Sequence, residues 1–446
     1  MKLLFKLLVL ILIISSIFVL AVYVSPPLFS FILKTSMNKK FSNMTIHSLV
    51  VSKQACKLPF QCTFNDVRLS ITIDKEVFKI KAPSLNVSNI KEFVMSGSGV
   101  RIRGQGITVE SSNLDISGLD LDVLSKQNHN WIATIALDEL THQDTKVSDF
   151  QANVTISPHT LVISPVKKFL DQPAQMKVVS LGFRHKKEDY DIQFQQIRIE
   201  RIDQIFSMGE GIGFMLKNAR LQTSDLRIEG LDLNLQSKYL DQWDGLMIVK
   251  EFKKNNVQMT DIHTGVKINK QDIIFSEIQA NLYKGKVTGE LAVYLNPVFR
   301  YVSNITFNDI DTLLIEEVYP PFFSQVRDRL YGNGLIKGLT NDLETIQINL
   351  QLNEGGEVRA QLLSPLLSYI PRSQQYVVLE QAINENRRLV MDIATVALTS
   401  KGSDKLTALI ILKSNELNLD MNLTIDFNIE GGFKALIENF DQLLTQ

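Results

Sequence analysis

Apolar and polar residues alternate with period two almost from end to end of this chain, the signature of β-strands with one apolar and one polar face. Val67, Leu69, Ile71 and Ile73 alternate with Arg68, Ser70, Thr72 and Asp74, and Phe78, Ile80 and Ala82 stand between lysines. Trp131, Ala133, Ile135 and Leu137 repeat the pattern, as do Tyr190, Ile192 and Phe194. Near the end, Leu417, Leu419, Met421, Leu423, Ile425, Phe427 and Ile429 alternate with Asn418, Asp420, Asn422, Thr424, Asp426 and Asn428. As a single strand at roughly 3.3 Å per residue, that run extends about 40 Å. Helical spacing is confined to short stretches at 322–331, 376–384 and 433–444.

So many one-sided strands present more apolar surface than so little helix can cover. Two solutions stay open. The sheet can pack against itself as a sandwich or closed barrel. It can also leave a groove between curled walls, filled by an apolar ligand. An internal echo points to repeated units: SNLDISGLDLDV at 112–123 and SDLRIEGLDLNL at 224–235 share serine, leucine, isoleucine, glycine and aspartate positions. Gly118 and Gly230 are then each expected to supply a turn or bulge.

The first 40 residues decide which solvent the rest of the chain meets. Residues 7–33 carry no charge, and LLVLILIISSIFVLAVYV at 7–24 has the length needed to span a hydrocarbon core. Lys2 and Lys6 precede it, and Pro26 and Pro27 stop a helix just after it. The expected topology is a cytoplasmic N-terminus with the body outside. A cleaved signal peptide is the rival, because Val19, Leu20 and Ala21 resemble a processing site. Lys34, Lys39 and Lys40 nearly balance the N-terminal charge, so the orientation needs a second witness. The only two cysteines, Cys56 and Cys62 in ACKLPFQC, supply one. Their spacing suits a small disulfide-closed loop in an oxidising compartment. A redox-active pair is the alternative, but such motifs normally have two intervening residues at a helix terminus.

With 446 residues and 47 basic against 48 acidic side chains, the chain has no electrostatic footprint for nucleic acid. The six histidines are scattered without ligand spacing, which gives no reason to expect a metal. GEGIGF at 209–214 and GNGLIKG at 332–338 lack the GxGxxG spacing and the phosphate-loop lysine of nucleotide sites. No GxSxG elbow occurs either. The expectation is a binding protein without cofactor and without catalysis.

The segment SEIQANLYKGKVTGEL at 276–291 resembles the recurring unit of the AsmA-like family. In that unit a strand ending in a small residue and an aromatic leads through a glycine turn to a strand with a second glycine. Here those features fall at Ala280, Leu282, Tyr283, Gly285, Val287 and Gly289. Residues 305–314 with 330–339 resemble the stretch that follows, and 389–429 are similar to the family's closing β region, the YdbH, TamB and YhdP group in particular. The resemblance implies an elongated, curled antiparallel β-sheet with an open, taco-like groove, few short helices and one N-terminal transmembrane helix. It divides the chain into an anchor at 1–40, a periplasmic β-rich region at 41–270 and an AsmA-like region at 271–446. It further implies a single-pass inner-membrane protein that holds phospholipid acyl chains and moves them towards the outer membrane, or supports assembly there with an envelope partner. Leu417, Leu419, Met421, Leu423, Ile425 and Phe427 are the candidate groove wall, with ordinary core as the other reading. About 20 strands at roughly 4.8 Å each would reach about 100 Å. The alternative function is a tethered scaffold with a closed β core that binds other envelope proteins.

Overall fold

The computed structural model describes residues 44–428 except 58–60, 74–75, 90–95, 97, 128–129, 143–144, 167, 170–171, 174–177, 186–187, 203, 205–209, 240, 255–256, 296–297, 317–325, 340–341, 370, 401–404 and 417. The expected anchor at 1–40 and the helix at 433–444 therefore lie outside the described residues. No helix among the described residues is long and apolar enough to cross a membrane.

The protein is mainly β. Twenty-three strands belong to one antiparallel sheet, and no ladder closes it among the described residues. The chain divides into two compact units between Arg227 and Ile228.

The first unit opens as a meander of β1 (Met44–Lys57), β2 (Gln61–Ile73), β3 (Glu76–Ser88), β4 (Arg101–Glu110), β5 (Leu114–Ser125), β6 (Trp131–His142), β7 (Thr145–Ile156) and β8 (Thr160–Ser164), each paired with the next. A two-strand ladder of β9 (Lys168–Phe169) and β10 (Gln172–Pro173) follows. Then come β11 (Val179–His185), β12 (Glu188–Phe194), β13 (Gln196–Glu200) and β14 (Gly213–Gln222). β11 pairs with the start of β7, and β13 pairs with both β8 and β14. Cys56 and Cys62 lie directly opposite one another on β1 and β2 and are joined by a disulfide.

The alternation read from the sequence sets the inside of this unit. Phe64, Ile71, Ile116 and Leu119 are each 2% exposed or less, and their strand neighbours on the other face are polar. Gly118 sits within β5 at φ +61°, so it makes a bulge and not a turn. The adjoining ladder skips there, with Ser117 opposite Glu139 and Asp120 opposite Ala136.

The second unit holds β15 (Leu226–Tyr239), β16 (Gln242–Lys254), β17 (Val257–Ile268), β18 (Asp272–Leu282), β19 (Gly285–Tyr294) and β20 (Arg300–Asp311). A short helix, α1 (Thr312–Glu316), leads to β21 (Val326–Arg327), β22 (Arg329–Leu339), β23 (Asp342–Leu352) and β24 (Glu357–Arg359). A 3-10 segment, Ala360–Tyr369, and α2 (Gln374–Asn384) come next, then β25 (Arg388–Val390), β26 (Ile393–Ser400), β27 (Lys405–Ser414) and β28 (Leu419–Asn428). β21, β24 and β25 form a small separate sheet.

Two expectations need correction. The helix expected at 322–331 ends in strands, with β21 at Val326–Arg327 and β22 starting at Arg329. The alternation of Leu330, Gly332, Gly334 and Ile336 wins over helical spacing because β20 and β23 flank it with partners on both sides. The long terminal strand starts only at Leu419, because Ser414 pairs with Leu419 across a hairpin whose Asn418 takes φ +50°. Leu417 lies outside the described residues. The helix expected at 376–384 is present, begun by the Ser373 side chain accepting a hydrogen bond from the Tyr376 amide.

The glycine expected to form the β18–β19 turn does not form it. Leu282 pairs with Gly285, and the two turn residues are Tyr283 at φ +46° and Lys284 at φ +61°. Both occupy the left-handed region that a tight hairpin demands and that side chains resist. Lys284→Gly is expected to raise stability by about 1 kcal/mol. The side chain gives up only an exposed 3.5 Å approach to Asp311, and chemical denaturation reads the change directly.

Candidate functional site

Cross-strand register in the second unit lines up two apolar rows over the eight strands β18, β19, β20, β22, β23, β26, β27 and β28, and a shorter third row over the first five of them. One row runs Ile278, Gly289, Ile305, Gly334, Ile348, Leu398, Ala408, Ile425. The row on one side runs Ala280, Val287, Phe307, Gly332, Leu350, Val396, Ile410, Leu423. On the other side Phe275, Leu291, Ser303, Ile336 and Ile346 continue the surface. At about 4.8 Å per strand these rows are roughly 34 Å wide, against about 15 Å for one leaflet of a bilayer's hydrocarbon. No charged residue interrupts them.

Their exposure sets these rows apart from an ordinary core. Ile278, Ile305, Phe307, Ile336, Ile348, Leu350, Val396, Leu398 and Ile410 are all half-buried. A cavity of about 370 Å³ touches Phe307, Gly332, Leu350 and Val396 of the row that starts at Ala280, while most of its lining, Gln351, Thr395, Ala397 and Leu409 among it, alternates onto the opposite face of the same strands. Its remaining lining is uncharged, including Tyr331, Asn333, Asn349 and Ile411. The Tyr331 hydroxyl donates to Asp309 Oδ1 at 3.3 Å. Its pKa is raised, by lost hydration first and then by the Asp309 charge, so the ring stays neutral.

One end of the face is covered. Leu379, Ala382 and Ile383 of α2, with Leu363 of the 3-10 segment, pack onto Leu352, Ala394, Leu412, Leu419 and Met421. Charged groups gather on the neighbouring strand ends. Arg329 lies 3.8 Å from both Asp309 and Asp311, and Lys284 lies 3.5 Å from Asp311.

The expected wall residues divide accordingly. Leu419 and Met421, each 6% exposed, lie beneath the helical cap, and Leu423 packs partly against the same cluster. Ile425 and Phe427 stand in backbone register with Ala408 and Leu406. The half-exposed surface is carried chiefly by β20, β22, β23 and β26, which the sequence reading did not single out. Its signal was the alternation of Ile305 and Phe307 with Asn304, Thr306 and Asn308, and of Ile346, Ile348 and Leu350 with Thr345, Gln347 and Asn349.

Gly285 and Gly289 have a steric reason. A Cβ at Gly289 would stand 2.1 Å from the Asn304 carbonyl oxygen, and one at Gly285 2.5 Å from the Asp309 backbone. At both positions β19 is drawn close to β20, which only glycine permits. At Gly338 the Tyr301 ring occupies the space a side chain would fill, covering the bare backbone.

Compared with family models, with curated proteins and with solved structures, the chain matches none.

Proposed function

We propose that this chain is a membrane-anchored protein of an oxidising envelope compartment, the periplasm, whose second unit curls its sheet into an open groove for phospholipid acyl chains. The groove supports lipid transfer between inner and outer membrane, or outer-membrane assembly, and does no chemistry. The observation that carries this reading is the half-exposed run of three apolar rows without a charge. Apolar surface of this extent left partly open on a folded body is the mark of a binding surface. The disulfide at Cys56–Cys62 supports the compartment, and the uncharged stretch at 7–33 supports the anchor.

The physical need is large. A two-chain phospholipid has on the order of 30 methylenes, so exposing them to water costs on the order of 25 kcal/mol. A continuous aliphatic wall keeps the tails buried. Because the rows offer no specific polar contact, no single position traps the lipid.

Ile348, half-buried at the centre of the face, is the residue to change. Ile348→Asp is expected to leave the body folded and lower co-purifying phospholipid at least several-fold, read by lipid extraction. Unchanged lipid in a folded Ile348→Asp protein would sink the groove. The closed apolar face of the first unit favours a second role, a scaffold surface for other envelope proteins, on that half of the chain.

A further inference from the structure

The short sequence echo belongs to a much longer one. The chain's only tryptophans, Trp131 and Trp243, are 112 residues apart (243 − 131), and they stand opposite Ile156 and Ile268, again separated by 112. β4 and β14 share both boundaries at that offset, as do β7 and β17. Positive-φ residues recur at it in five pairs: Asn89 and Arg201, Gly99 and Gly211, Gly106 and Asn218, Gly118 and Gly230, Asp149 and Asp261. The turn before β5, where the Ser111 hydroxyl accepts from the Leu114 amide at 3.0 Å, recurs before β15 with Thr223 and Leu226 at 3.0 Å. The turn before β8, built on Ser157, recurs before β18 on Asn269. Ser125 and Ser237 are both buried serines. A Cβ at Gly118 would strike Asp138, and one at Gly230 would strike Lys250, the residue at the matching position.

Strand ends, bulges and turns thus repeat without a gap although most side chains differ. Burial repeats only in part: Val100 and Ile212, Ile107 and Ala219, and Val123 and Leu235 are buried in both copies. In the first copy Ile116, Leu119, Leu121, Ile135, Leu140 and Ile163 are each 5% exposed or less. Their counterparts Ile228, Leu231, Leu233, Met247, Phe252 and Phe275 are all half-buried. Val249 and Val266 stay buried like Leu137 and Val154, so the second copy keeps a core seam beside an open surface.

We propose that 61–284 is a tandem duplication of one 112-residue hairpin array, 61–172 and 173–284, whose copies have divided their labour. The first copy has a closed apolar face and is structural. The second keeps the same ladder, closed over β11–β14, where Val179, Phe194, Ile212 and Ala219 are buried, and open from β15 on, where it contacts acyl chains and extends the rows of β18–β28 back to β15. This rests on the lipid reading above.

Isosteric photo-leucine, incorporated throughout the full chain and activated in intact envelope membranes, tests the division in one molecule without disturbing packing. Adducts of phospholipid mass are expected on peptides bearing Leu231 and Leu233 and absent from those bearing Leu119, Leu121 and Leu140. Adducts on both sets would overturn the division of labour while leaving the lipid groove standing. Adducts on neither set but on Leu350 and Leu398 would confine the groove to the later strands and overturn the proposal. Adducts nowhere in 44–428 would remove the lipid reading and this inference together.

Discussion

Ile116→Asp is expected to prevent the first unit from folding, whereas Ile228→Asp at the matching position of the second copy is expected to leave a folded protein. Ile116 is wholly buried in mid-strand. An aspartate there must ionise without water or remain neutral without a partner, a cost of several kcal/mol in either form. Domain stability is only about 5–15 kcal/mol in total, so most or all of it goes. Ile228 is half-exposed beside Val249 and Met247, and a carboxylate there can turn to solvent. The expected loss is about 1 kcal/mol. Limited proteolysis and denaturant midpoints distinguish the two, and equal losses would contradict the assignment of a closed and an open copy.

Gly289→Val is the second change of large effect. The obstacle to its Cβ is the Asn304 carbonyl oxygen, 2.1 Å away, and backbone cannot swing aside as a side chain can. β19 and β20 must part, at an expected cost of about 3 kcal/mol. Hydrogen exchange should quicken at the amides of Val287 to Leu291, whose partners are Phe307 to Ser303. Gly334→Ala in the same cross-strand row is the control. Its Cβ would meet Ile348 Cγ1 at 3.4 Å, an ordinary contact, and the expected change is under about 1 kcal/mol. Equal stability of the two variants would contradict the close approach of β19 to β20.

Strands were legible in the sequence wherever one face is apolar and the other polar, because period two leaves no alternative for Val67–Ile73 or Trp131–Leu137. The α2 helix was legible for a similar reason, with Ser373 at its start and apolar residues at helical spacing. The stretch from Phe322 to Tyr331 misled because FFSQVRDRLY also satisfies a helical period. Only the presence of β20 and β23 on either side decides for strand. The turn at Tyr283–Lys284 could not be read, since neither residue favours positive φ. The full repeat escaped because it is kept in backbone geometry: Asp149 and Asp261 share φ +52°, yet an aspartate seldom announces a bulge.

Which apolar faces are closed and which are open was not legible at all. Ile116 and Ile228 occupy equivalent positions in strings that share the same apolar and glycine pattern, and one is buried while the other is half-exposed. Alternation specifies that a face is apolar; whether it is covered depends on distant segments such as α2 and the 3-10 turn that lie over Leu419 and Met421. The expected wall was therefore drawn at the capped end of the face.

Native mass spectrometry of residues 45–446, purified without the preceding apolar segment, tests the groove most directly. The expected spectrum shows phospholipid held in a fixed ratio to the folded chain and released on activation, with the bound fraction falling in Ile348→Asp. A folded, monodisperse and lipid-free body would contradict it, and would leave the scaffold role as the function of both units.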